Sequence, residues 1–239
     1  LATRAHRRGA SPAAQTDAAT AGSGPPGPVS DRRFAWVVAA AFAALTLPRL
    51  LAHELWRDEA WQWLVAVESR SLGELFAGTS SGGGIGYVFP VLCFLVRQLT
   101  TSPLAMQLLH LVLATAAAFA FVRWAPLGRR ERALFVCGYF TFYEYAVISR
   151  SYAAQALLLW LACAATGWRR PAIGLAIAAA LLCQTTVYGY ILAVAIVCGW
   201  VAARWRNRGE VPVLRLPEVA GAIAIFAAGA IAGLVQLVP

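Results

Sequence analysis

Asp58 and Glu59 stand side by side in HELWRDEAWQWLVAVESRS, residues 53–71, with Arg57 before them and Trp56, Trp61 and Trp63 around them. A carboxylate held at the depth of lipid headgroups is suited to act as a general base toward a hydroxyl. The plainer alternative is an interfacial helix whose charges are simply solvated. A zinc-protease reading of HELWRDE fails, because HExxH needs a second histidine where this chain has Arg57. Asp58 or Glu59 could still contribute to a divalent metal site, but nothing in the spacing specifies one.

A second group lies in YEYAVISRSYAAQ, residues 143–155. Arg150 is either a cation reaching back to the interface or a phosphate clamp, since a guanidinium matches phosphate oxygens with paired donors. Tyr152 stands two residues on. Glu144 falls within an apolar run, where a carboxylate is costly and a functional candidate by default. His110, also within an apolar run, reads as a polar contact between helices or as a proton carrier. Tyr188, in QTTVYGY (residues 184–190), offers a hydroxyl that either contacts a sugar or caps a helix.

These residues must be positioned by membrane helices. The chain is 60% apolar and 13% charged, with a mean hydropathy of +0.64, which excludes an ordinary soluble domain. The apolar residues come in runs near the about 20 helical residues that cross a hydrocarbon layer. Expected spans are Phe34–Leu51, Pro103–Val122, Ala133–Ser149, Tyr152–Thr166, Ala172–Val187, Tyr188–Ala203 and Val219–Val238. The sequence therefore predicts an all-α polytopic membrane protein with about seven transmembrane helices. Residues 1–33 read as a disordered cytoplasmic tail, and residues 34–239 as one membrane module. The net charge of +9 comes with no basic patch interleaved with aromatics, so nucleic acid is not indicated. Every basic residue is arginine and alanine is abundant, which points to a GC-rich bacterial genome. The five cysteines sit in apolar runs without CxxC spacing and read as small buried residues.

Arginine placement orients the chain. The run Gly86–Thr100 is short and contains Arg97. If it does not cross, arginine concentrates on one side, as cytoplasmic loops require; if it crosses, the bias collapses. The first reading puts the amino terminus inside and a long extracytoplasmic loop at residues 53–102. Within that loop Trp56, Ala60, Trp63, Leu64 and Val67 form one apolar helical face, expected on the lipid side of an interfacial helix, with Asp58, Gln62 and Ser69 opposite.

The sequence resembles membrane glycosyltransferases of the GT-C superfamily, akin to the protein mannosyltransferase and aminoarabinose transferase group. The likeness rests on "DEA" opening a long outer loop after the first span, on an amphipathic helix and on a short run entering at an aromatic-proline site. It rests also on "SRSY" after the third span, and it covers the chain from about Phe34 onward. It implies a seven-span module that transfers a sugar from a polyprenyl-phosphate donor to an acceptor hydroxyl, glycan, lipid or protein. The site would face out of a bacterial inner membrane. It implies Asp58 as catalytic base with Glu59 beside it, and Arg150 with Tyr152 at the donor phosphate; Glu144 and Tyr188 are candidate lining residues. Two departures stand: "GYVFP" replaces a His-Pro-Pro, and no second outer-loop aspartate lies near Ser151. No cofactor is certain; a divalent metal is possible but not indicated. A transporter or flippase built around Glu144 and His110 is the competing class. The stop at Pro239 after an apolar run keeps an inactive truncated relative among the readings.

Overall fold

The computed structural model describes residues 28–80, 86–209 and 214–237. These residues are all-helical, an isolated bridge at Thr186 aside. The helices are α1 (Pro28–Leu51), α2 (Arg57–Glu68), α3 (Leu72–Ser80), α4 (Val88–Val96), α5 (Pro103–Trp124), α6 (Arg129–Val136), α7 (Tyr145–Val147), α8 (Tyr152–Ala165), α9 (Pro171–Leu182), α10 (Val187–Arg206) and α11 (Leu216–Leu237). A π turn, Phe140–Glu144, precedes α7.

Among the described residues, four helices are long and apolar enough to cross a membrane: Asp31–Leu51, Pro103–Trp124, Val187–Arg206 and Leu216–Gln236. Tyr152–Ala165 and Pro171–Leu182 are apolar but shorter. At 1.5 Å per residue they reach about 18–21 Å, against a hydrocarbon layer of about 30 Å. The run expected as Ala172–Val187 stops at Leu182, because the chain turns at Gln184–Thr186 before α10 begins.

Two further expectations are corrected. The tail expected at residues 1–33 lies outside the described residues as far as residue 27. From Pro28, however, the chain is already helical. Asp31, in the first turn, where a carboxylate suits the helix dipole, pairs with Arg129 Nε (3.2 Å) and Arg132 Nη2 (3.3 Å) at the start of α6. The third expected span, Ala133–Ser149, is not one helix. It breaks after Val136 at Gly138, a weak helix former, and the crowded aromatics that follow take the π turn. Such turns inside helical segments recur at functional sites.

The bundle has two ends. At one, Asp31 meets α6, and Arg132, nearly buried, donates to Val122 O at the end of α5 (2.5 Å). At the other, Gln107 Nε2 near the start of α5 reaches Leu50 O (3.3 Å) and His53 O (3.4 Å) at the end of α1. Both ends of the 52–102 connection therefore lie together at this second, Asp58 end. α4, nine residues and about 13 Å long, is too short to cross within it. Arg97 ties the far end of α4 back to Ser69 O (2.6 Å). Gly86 N donates to Thr185 O (3.0 Å) and Val88 N to Gln184 O (3.1 Å), so the turn between α9 and α10 is also at this end.

Small residues allow the helices to approach closely. α1 and α5 meet through Ala35, Ala114 and Ala118 around Phe42 and Phe121. On α11, Gly229 and Gly233 face Ala180 and Cys183 of α9, so a GxxxG pair serves packing inside the chain. The cysteines divide. Cys93 and Cys183 are buried, whereas Cys137, Cys163 and Cys198 are exposed on helix surfaces, since the outside of this bundle is itself apolar; all are free thiols. Burial pushes the Cys93 thiol up to about 12.

Candidate active site

Trp56 caps the start of α2, and Glu59 stands at the third position of the helix. Glu59 accepts from Trp56 N (2.9 Å), the return bond of a capping box. The buried face of this helix is Glu59, Gln62, Trp63 and Ala66. That face lies about a quarter turn round from the one expected through Trp56, Ala60 and Leu64. Trp56 and Leu64 are exposed. Glu59 is fully buried because it has partners. Besides Trp56 N, it accepts from His53 Nε2 (2.8 Å) and from Ser149 N (2.5 Å). The polar side of α2 is therefore drawn inward, and Trp63 anchors beside it, donating to Thr101 O (3.2 Å).

Ser149 belongs to a corner between α7 and α8. Ile148 is extended (φ −78°, ψ 106°), and Ala146, Val147, Ile148 and Ser149 are buried. Irregular backbone at such depth needs partners from elsewhere in the protein. Glu59 supplies one. His110 on α5, fully buried, lies against the backbone of Tyr145 and Arg150, although neither ring nitrogen reaches a partner at hydrogen-bond geometry. Phe89 of α4 packs edge-on against the same imidazole, with ring centroids 6.0 Å apart.

The corner delivers Arg150 to α2. Arg150 Nη2 lies 3.5 Å from Asp58 Oδ2, and Arg57 Nε lies 3.8 Å from Asp58 Oδ1. The Asp58 side chain is 51% exposed and that of Arg150 27%. A single contact of this length between partly exposed groups is worth only about 0–1 kcal/mol, so a better anion can displace Asp58 from Arg150. The Arg150 guanidinium also sits over the Tyr152 ring, 5.4 Å from its centroid, and Tyr152 packs on Tyr145 (5.5 Å). Beneath these two tyrosines lies a cavity of about 130 Å³, walled by Ala117 and Phe121 of α5, Trp160 of α8 and Leu192 of α10, with Gln155 at its edge. Thr186, in the turn before α10, donates to Gln155 Oε1 (2.5 Å).

The expected residues thus fall into two sets. Asp58, Glu59, Arg150 and Tyr152 converge. Glu144 ends the π turn, half-buried, and makes no ion pair among the described residues. Tyr188 is at the same end of the bundle but 69% exposed, with no contact to the Asp58–Arg150 pair. His53, Gln107 and Ser149 were not expected to contribute. A glutamate three residues after Trp56 was a visible sign of the cap, but the bond to Ser149 crosses 90 positions and left no local trace. Among the described residues no cluster of three or more His, Cys, Asp or Glu could hold a metal ion. No family model matches the sequence, and no curated protein or solved structure matches it.

Proposed function

We propose that the chain is a membrane glycosyltransferase that moves a sugar from a polyprenyl-phosphate donor to an acceptor hydroxyl at the extracytoplasmic interface. One observation carries the reading: a half-exposed carboxylate, Asp58, is paired loosely with Arg150, whose guanidinium lies over Tyr152, a residue that also lines an apolar cavity. That order matches an amphiphilic donor, with phosphate at the guanidinium and the start of its chain in the cavity.

In the proposed reaction the donor phosphate takes Arg150 and releases Asp58. The acceptor oxygen attacks the anomeric carbon while Asp58 accepts the hydroxyl proton. The bond from that carbon to the phosphate oxygen breaks, and its electron pair leaves on the phosphate. Arg150 stabilises that charge, being in place before it develops. Phosphate is a competent leaving group, so the carboxylate pair of glycoside hydrolysis reduces to one base. The membrane reading has seven passes in a bacterial inner membrane. Twelve described arginines, from Arg32 to Arg215, stand at the Asp31 end against five at the Asp58 end, which favours the Asp58 end outside.

The test is donor binding and sugar transfer in nanodiscs. Arg150→Ala should weaken polyprenyl-phosphate binding by about 10–100-fold, the worth of a charge-assisted hydrogen bond, and lower the transfer rate as well. Unchanged donor affinity would remove Arg150 from the phosphate site.

A further inference from the structure

Glu59 and Asp58 are neighbours, yet the structure gives them different work. Glu59 is fully buried with three hydrogen bonds and no arginine or lysine partner, so it has no open face toward a substrate. The same chain caps α6 with a second glutamate, Glu131, which accepts from Gly128 N (2.5 Å) in an exposed setting and has no tertiary hydrogen bond. Capping alone does not require burial. What sets Glu59 apart is its second oxygen, Oε1, which accepts the Ser149 amide across 90 positions.

The placement of that bond matters. Glu59 follows Asp58, and Ser149 precedes Arg150, so the bridge lies one residue away from the Asp58–Arg150 contact on both sides. The 148–151 corner has little of its own to hold it: Arg150 N bonds back to Ile148 O (2.9 Å), and Gln155 N to Ser151 O begins α8. Among the described residues the Ser149 amide has no other acceptor. We infer that Glu59 is a positioning residue: its carboxylate fixes the Ser149–Arg150 backbone against the start of α2 and thereby sets the reach between Asp58 and Arg150. The structural half stands on the hydrogen bonds alone; the kinetic half rests on the transferase reading above.

Two measurements on the full chain test the halves separately. In the first, hydrogen exchange is followed in peptides covering residues 145–152. Glu59→Ala should speed exchange at the Ser149 amide on the order of tenfold. Glu59→Gln keeps an acceptor oxygen for Ser149 and should restore most of the protection, and Asp58→Asn should leave it unchanged. In the second, donor affinity and turnover are measured with a polyprenyl-phosphate sugar. Glu59→Ala should raise the donor KM and lower kcat, and Glu59→Gln should recover a large part of both. Native protection of Ser149 in Glu59→Ala would overturn the inference whatever the activity. Glu59→Gln as inactive as Glu59→Ala, with Ser149 still protected, would also overturn it, by making Glu59 itself the reacting group. Faster exchange in Glu59→Ala, with no transfer by the unmodified chain, would uphold the positioning role and sink the transferase reading instead.

Discussion

Substituting Gly229 by alanine tests the packing that brings the last helix onto the bundle. An added Cβ would press on the Ala180 side chain and lie 2.6 Å from the Ala180 Cα. Ordinary contacts begin at 3.4 Å and the alanine Cβ is nearer still, so α9 and α11 must part by about 1 Å, and the neighbour is backbone that cannot step aside. Overpacking of this kind costs about 1–3 kcal/mol. The better helix propensity of alanine offsets about 0.5–1 kcal/mol of it. A net loss of about 1–2 kcal/mol corresponds to a fall of about 2–8 °C in the midpoint of thermal unfolding for a chain of this size. Gly199 on α10 is the matched control, since a Cβ there meets nothing within 4 Å. Gly199→Ala should leave the midpoint unchanged or raise it. The assay is thermal unfolding of both variants in one detergent at one scan rate, because unfolding of such proteins is often irreversible. Equal midpoints for the two variants would refute the close approach of α9 and α11.

In a cysteine-free background, a cysteine replacing Gly128 should be labelled only from the cytoplasmic side, and one replacing Ser80 only from outside. Labelling of both from the same side would reverse the arginine-based orientation. Asp31→Ala should lower thermal stability, because it strips Arg132, a nearly buried cation, of its carboxylate. Adding Arg132→Met should recover part of the loss; no recovery would mean that the ion pair is not what Asp31 contributes.

Much of the helical order was legible because hydropathy alone marks helices that must bury apolar surface. Arg97 and the shortness of its run were the grounds for expecting residues 86–100 to stay at one end, and α4 is nine residues long. The break in the third run was not legible. Aromatic-rich backbone from Tyr139 to Tyr145 has the same hydropathy in an α or a π turn, and only packing chooses between them. The partners of the inward face of α2 were not legible for a related reason. Tryptophan spacing reports an apolar stripe, of which Trp56 and Leu64 are exposed, but not the burial of Glu59 against Ser149, a partner that periodicity cannot reveal. For the site, Asp58 and Arg150 could be assigned to one end from charge and span order; their 3.5 Å contact required the fold.

Sugar transfer by Asp58→Asn, measured at saturating donor, tests the central claim most directly. Asparagine keeps the shape of the side chain and removes its capacity to take a proton. Transfer should therefore fall by about 10²–10⁴-fold, the usual worth of a general base, while donor binding is retained, since the phosphate rests on Arg150. Transfer at the native rate by Asp58→Asn would contradict the account.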